Sequence, residues 1–513
     1  MGLRRPVRWW YSRRWCSGGL RYRQWQHRDP LRRDQRLTPS ARMFDASALA
    51  SSGRGHSLYD RALFFWASFV VVIAVLLGGG TRVGLQSDEI VEILSVPLLV
   101  AATISLFEAR WNASWRVPLA ILFFALALPL LQLVPLPPAI WTALPGRAAV
   151  VEVYQAAGIA LDWRPLSLAP FATLYSFLSL LPATAIFVYA LQLDTSRRYA
   201  LLVGPLALAG IAALVGVGQF VGRGTSGFGP STGPTAGYAI GFFANRNHFA
   251  ALIYAALPFA VVWTARHMRT GRGRMRLVGS LFGGAVVVSL LFGLSAAFSR
   301  AGVALGIVSL LGSAFIVWRS ADTSRIGRWP VVIAGVLMVG FAVILQLGLV
   351  DLLIQRTAAD SARSTIASLT LEVIGRFNVA GSGFGTFVPL LQTAEKPTDL
   401  LVFFINHAHN DYLELALEGG ILAMLLIVAF LLWYFVRFWS IWLSARQSGG
   451  QDERALMSAA SLSIGLILLH SLLDYPLRTL TLMCLFAFAV ACLCPPASET
   501  APVHRRRRVA SSD

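Results

Sequence analysis

Four short segments and one long polar stretch of this chain gather ionisable and amide side chains between long apolar runs. The richest reads Asn406-His407-Ala408-His409-Asn410-Asp411-Tyr412-Leu413-Glu414-Leu415-Ala416-Leu417-Glu418-Gly419-Gly420. A histidine titrates near neutral pH, so it suits a general base that takes a proton from an attacking hydroxyl. On a helix, Asn410, Glu414 and Glu418 would fall on one face, and acids in apolar surroundings need partners. Two histidines beside acids also raise a metal site. His407 and His409 stand two apart, which splays them on a helix, and the HExxH spacing is absent, so metal is the minor reading.

The other segments carry arginine and amides. Phe242-Phe243-Ala244-Asn245-Arg246-Asn247-His248-Phe249-Ala250 opens an apolar run, where Asn can cap a helix or meet a ligand. Phe298-Ser299-Arg300-Ala301-Gly302 sets one cation between two apolar runs; it can anchor the turn at the interface or grip a phosphate bidentately. Arg356, Arg363 and Arg376 fall in a long polar stretch, 351–412, with Arg363 opening a helical segment near Ser361–Ile374 that ends at Gly381-Ser382-Gly383-Phe384-Gly385. His470-Ser471-Leu472-Leu473-Asp474-Tyr475-Pro476-Leu477-Arg478 is read as a turn in which Asp474 and Arg478 pair with each other for structural reasons.

The elements that must position these residues are membrane spans. Apolar residues make up 56% of the 513 and charged residues 13%, against the roughly 25% that a soluble surface requires. Soluble domains are excluded. Twelve apolar runs of membrane length are expected, near 62–78, 91–107, 117–136, 171–192, 200–221, 248–265, 278–298, 301–318, 330–350, 413–435, 456–473 and 479–494. The arginines are denser in alternate loops, which together with span parity puts both ends in the cytoplasm. The long segments 137–170, 222–247 and 351–412 then face outward, and the last is expected to lay helices over a cavity.

The formal charge of +19 is therefore read as topology, not as nucleic-acid binding. All but one of the 44 cationic residues are arginine, the exception being Lys396. Residues 1–58 are basic and interleaved with Trp9, Trp10, Trp15 and Trp25, a pattern that could bind anionic lipid or RNA; the favoured expectation is a disordered tail or an extension preceding a true start at Met43. Cys16, Cys484, Cys492 and Cys494 suggest no disulfide framework. No Walker loop is present to bind ATP.

The elements FFANRNHFA, FSRAG, an arginine before GSGFGTF, HAHNDYLELALEGG and HSLLDYPLR occur in the order seen in the O-antigen ligase/polymerase superfamily, and the chain resembles that family over residues 235–480. The resemblance implies an all-α polytopic membrane glycosyltransferase of GT-C-like architecture in the bacterial inner membrane, with its active site facing the periplasm. Residues 59–234 would be an N-terminal transmembrane region, 235–480 the catalytic region and 481–513 a last helix with a basic cytoplasmic tail. Such enzymes move a glycan from undecaprenyl diphosphate to an acceptor hydroxyl on lipid A-core, on protein or on a second lipid-linked glycan, without metal or other cofactor.

Carried over by motif, the resemblance makes His409, Arg300 and Arg363 the catalytic residues, with Arg300 and Arg363 holding the donor diphosphate. Asn245, Arg246, Asn247, His407, Asn410 and Glu414 would line the substrate site, and Glu414 or Asp411 would orient His409. Arg246 stands where the family often has Pro. The competing reading is a transporter or flippase of lipid-linked glycan, which twelve spans and intramembrane charges also fit. Repeated halves with broken midplane helices, its usual mark, are not evident.

Overall fold

The computed structural model describes residues 46–81, 84–109, 111–222, 238–320, 358–377, 379–395, 404–443 and 450–496. The chain divides into a unit of residues 1–58, of which only the start of a helix is described, and a unit of residues 59–513 that carries everything below. The fold is helical throughout. In chain order the helices are α1 (Ala46–Leu77), α2 (Gln86–Glu108), α3 (Arg116–Gln132), α4 (Pro138–Trp141), α5 (Ala148–Ala156), α6 (Pro170–Leu178), α7 (Leu180–Gln192), α8 (Thr195–Leu201) and α9 (Val203–Val221). They continue with α10 (Arg246–Thr270), α11 (Gly273–Ala296), α12 (Arg300–Ser320), α13 (Ala358–Phe377), α14 (Phe387–Ala394), α15 (Asp411–Trp442), α16 (Gln451–His470) and α17 (Leu480–Cys492). One two-residue antiparallel ladder, Pro135–Leu136 with Arg164–Pro165, closes the base of the segment holding α4 and α5.

Among the described residues, nine helical segments are long and apolar enough to cross a membrane. The protein is thus an all-α polytopic membrane protein. Nine of the twelve expected runs match these segments. The run at 330–350 lies outside the described residues. The run at 456–473 is the helix α16, which is not among the nine, and the run at 479–494 is the 13-residue α17, shorter than a full span. The difference at α16 has a sequence cause: its first turn carries Asp452, Glu453 and Arg454.

Helix α10 is the hub. It packs against α9, α11, α12 and α16, and its Phe249, Tyr254 and Phe259 are fully buried. Small residues let the helices approach closely where no hydrophobic drive exists in lipid. At Gly302 an added Cβ would stand 2.5 Å from that of Ala250, so the first turn of α12 lies directly against the first turns of α10. The expected hairpin between α11 and α12 is present, with Phe298 at φ 47° making the reversal.

Helix α15 is broken in its N-terminal third. Gly420 adopts φ 59° and ψ −151°, a region open essentially to glycine alone. The break frees backbone groups that the Gly381–Gly385 turn then satisfies. Ser382 N donates to Leu417 O, Gly383 N to Glu418 O, and Ile421 N to Val379 O. The Glu418 carboxylate accepts from Gly385 N, while Gln132 of α3 donates to Glu418 O and accepts from Phe384 N. The glycine turn is therefore a template for the top of α15. The helical stretch expected near Ser361–Ile374 is α13, and a second helix, α14, follows the turn.

Candidate functional site

Asp474 is the organising residue. It is fully buried in the turn between α16 and α17, and donors surround its carboxylate. His409 Nδ1 stands 3.0 Å from Oδ1, Asn247 Nδ2 donates to Oδ2 at 2.6 Å, and Arg363 Nη2 lies 3.6 Å from Oδ2. Tyr475 N also donates to Oδ1 at 3.1 Å, and His248 Nε2 approaches that oxygen at 3.8 Å, too long for a hydrogen bond. Burial alone would raise the Asp474 carboxyl, but His248 and His409 beside it hold it well below the ordinary carboxylate range. A carboxylate at Nδ1 makes that nitrogen the proton-bearing one. The lone pair of His409 then sits on Nε2, on a ring that is 20% exposed.

His409 itself is at φ 50°. That left-handed conformation costs a non-glycine residue about 1 kcal/mol. It is held by the residues that follow: Asn410 caps α15 through Tyr412 N and Leu413 N, and Asp411 N donates to Ser471 O. The strained backbone turns the imidazole away from the helix axis and toward the α16–α17 turn.

A second cluster lies beside the first. His407 Nδ1 is 2.8 Å from Glu414 Oε1 and Nε2 is 2.9 Å from Thr81 O. Both partners are acceptors, so both ring nitrogens must donate and the ring is an imidazolium. Burial opposes this charge, yet Glu414 outweighs it and the pKa is raised. Arg478 stands 2.9 Å from Glu418, 3.5 Å from Glu414 and 3.9 Å from Asp411. Burial would lower the guanidinium, but these acids together raise it. The Tyr475 ring separates the clusters, with ring centroids 4.2 Å from His407, 5.0 Å from His409 and 4.6 Å from His248.

The second cluster faces a cavity of about 360 Å³. Its walls include Asp88, Glu89 and Glu92 of α2, Asn406, His407, Asp411, Glu414, Glu418 and Arg478.

The expected residues thus separate into groups. His409, Arg363 and Asn247 converge on Asp474, whereas His407 and Glu414 form the adjoining pair. Asn245 and Asn410 spend a side-chain oxygen capping α10 and α15. Arg246 lies over the Tyr238 ring at 4.0 Å. Arg300 opens α12, whose Gly302 abuts Ala250 of α10, so it stands at the same end of the bundle as Asn247.

Two expectations are corrected. Asp474 and Arg478 do not pair with each other; each anchors a different cluster. Neither Glu414 nor Asp411 orients His409: Glu414 is taken by His407 and Arg478, and Asp411 accepts from Ser471 Oγ. The orienting acid, Asp474, was visible in the HSLLDYPLR motif. Its partner was not, because 65 residues separate it from His409.

Fold and site together define a multi-pass helical membrane protein with a histidine–aspartate–arginine cluster at one end of its bundle. Residues 285–428 match the model of the O-antigen ligase family, which bears out the resemblance to the O-antigen ligase/polymerase superfamily over that stretch. The matched stretch includes Arg300, Arg363, His407, His409 and Glu414, while Asn247, Asp474 and Arg478 lie outside it. No curated protein matches the chain.

Proposed function

We propose that the protein is a glycosyltransferase that moves a glycan from undecaprenyl diphosphate to an acceptor hydroxyl, as a polysaccharide ligase or polymerase working at the periplasmic face. The observation that carries this reading is the convergence of His409 and Arg363 on one buried carboxylate, Asp474. A base is thereby fixed in one tautomer beside a cation suited to phosphate.

His409 Nε2 takes the proton of the acceptor hydroxyl as its oxygen attacks the anomeric carbon. The new C–O bond forms as the bond from that carbon to the diphosphate oxygen breaks, and undecaprenyl diphosphate leaves with the electron pair. A single displacement inverts the anomeric centre. Asp474 holds the imidazolium that results. Arg363 and Arg300 stabilise the charge on the leaving diphosphate, so that positive charge comes from side chains rather than from a metal. The scaffold for this chemistry is a twelve-span, GT-C-like bundle with both ends in the cytoplasm of the inner membrane.

A strain deleted for the gene, complemented with wild type, Arg300→Ala, Arg363→Ala or His409→Ala at matched protein level, tests the reading. Surface and secreted polysaccharide would be resolved by size and by lipid linkage. Accumulated long lipid-linked glycan marks a ligase; single repeat units mark a polymerase. Wild-type glycan in all three variants overturns the assignment and returns the transporter reading.

A further inference from the structure

Helix α2 starts with Gln86-Ser87-Asp88-Glu89-Ile90-Val91-Glu92, and its acids Asp88, Glu89 and Glu92 line the 360 Å³ cavity. Across the cavity stand Asp411, Glu414 and Glu418 with Arg478 and His407. Among the described residues, six acidic side chains thus line this chamber with one guanidinium and one imidazolium. Both cations are already committed to the acids of α15. No ion pair joins Asp88, Glu89 or Glu92 to a described residue.

Glu92 is the decisive residue. It is only 9% exposed, it lines the chamber, and its carboxylate has no hydrogen-bond or ion-pair partner among the described residues. Ser95 Oγ donates to its backbone carbonyl, not to its side chain. The helix dipole accounts for Asp88 and Glu89 in the first turn, but Glu92 lies beyond that turn. An ionisable side chain without a partner among membrane helices is a candidate functional site. Among the described residues no group of histidine, cysteine and acid side chains is gathered closely enough to hold a metal ion.

A second feature indicates what the ligand carries besides charge. Leu180, Met483 and Phe486 line the acidic chamber and also a cavity of about 180 Å³ between α3, α7, α15 and α17. That second space is walled by Ile121, Leu122, Ala125, Phe187, Phe430 and other apolar side chains. Polar chamber and apolar groove meet at the three shared residues.

We propose that the two spaces together bind a membrane lipid with a primary ammonium head, the ammonium held by Glu92 with Asp88 and Glu89 and the chain laid in the groove. Ammonium supplies a positive charge that no described residue offers to Glu92, and N–H donors for its side chain. An anionic head would meet six acids. A trimethylated head keeps the charge but has no N–H to donate. The chamber shares His407 and Glu414 with the expected substrate site, but lipid binding at Glu92 does not require glycan transfer to take place.

The test is native mass spectrometry of the delipidated full chain titrated with phosphatidylethanolamine, phosphatidylcholine and phosphatidylglycerol of identical acyl chains, and with a neutral diglycosyl diacylglycerol. The three phospholipids share a phosphodiester, so a preference among them reads the rest of the head. Phosphatidylethanolamine should be retained about tenfold more tightly than the other three, the worth of one charge-assisted hydrogen bond. Glu92→Gln should abolish the preference, and Ala125→Trp, which fills the groove, should weaken all four lipids alike. His409→Ala should bind as wild type, which separates this outcome from the fate of the transferase reading. Equal retention of the four lipids, or a preference that survives Glu92→Gln, overturns the proposal. Preference for the glycolipid also overturns it, in favour of a hydroxyl-bearing head.

Discussion

His409 Nδ1 and Asp474 Oδ1 meet at 3.0 Å although 65 residues separate them in the chain. The contact joins the cap of α15 to the turn after α16, and it leaves His407 and His409 differently engaged. His407 has both nitrogens engaged by acceptors. His409 has one held and one open.

Asp474→Asn keeps the size of the side chain but cannot hold an imidazolium. Glycan transfer should fall by about 10²- to 10⁴-fold at unchanged protein level, the scale of a lost or mis-set general base. The loss should appear in kcat rather than KM, read on purified enzyme with lipid-linked donor. Wild-type kcat in this variant would remove Asp474 from the mechanism.

The His407–Glu414 pair predicts a pH dependence of stability. The folded-state pKa of His407 is raised above its ordinary 6.5, so the folded state binds the proton more tightly than the unfolded one. Its contribution is present in full below 6.5 and is lost as pH rises through the raised value. Thermal unfolding in detergent should show a falling midpoint on the alkaline side, and His407→Gln should flatten that limb.

Asp474 acts in the opposite sense. Its depressed pKa contributes stability that is present above the ordinary 3.8 and disappears only as pH falls below it. Acid unfolding of wild type should therefore carry a component, below pH 3.8, that Asp474→Asn lacks.

Arg478 is shared by Asp411, Glu414 and Glu418. Removing one partner of a buried ion pair costs about 3–5 kcal/mol, because the remaining charge is stranded. Arg478→Met should reach that range or abolish folded protein. Glu418→Gln, which leaves Arg478 two acids, should cost less. Chemical denaturation of the two variants side by side gives the comparison, and equal midpoints would contradict the network.

Gly420→Ala should be destabilising for two reasons. The residue has φ 59°, and an added Cβ would lie 2.4 Å from Val379 O. Backbone strain of this kind costs about 1–3 kcal/mol. The turn at Gly381 would be pushed off α15, so limited proteolysis should cut the Val379–Gly385 segment faster than in wild type.

Much of the bundle was legible in the sequence because lipid imposes a simple rule: long apolar runs with few charges. The rule failed where the run was short or its end polar, at α17 and α16. Within the site, local chemistry was readable. The caps at Asn245 and Asn410 follow from residue type and position, and Glu414 and Glu418 share a face as their spacing requires. Cross-chain pairing was not readable. Asp474 and Arg478, four apart, looked like natural partners, and nothing local showed that packing of α10, α13 and α15 against the same turn would bring each a different set of charges. The break at Gly419-Gly420 was likewise silent, since its amide and carbonyl partners come from Val379–Gly383.

The turn that carries Asp474 and Arg478 is made late, after the template segment and after α15. A ribosome delivers Arg363, the glycine turn and His409 first, with His409 still lacking its acid and Glu418 still lacking its cation. Nascent chains that stop before residue 474 hold most of the apparatus yet have an untethered base and repelling acids. Completion of the site in this sense waits on the turn between α16 and α17, and chains that stop before it lack the carboxylate that holds His409.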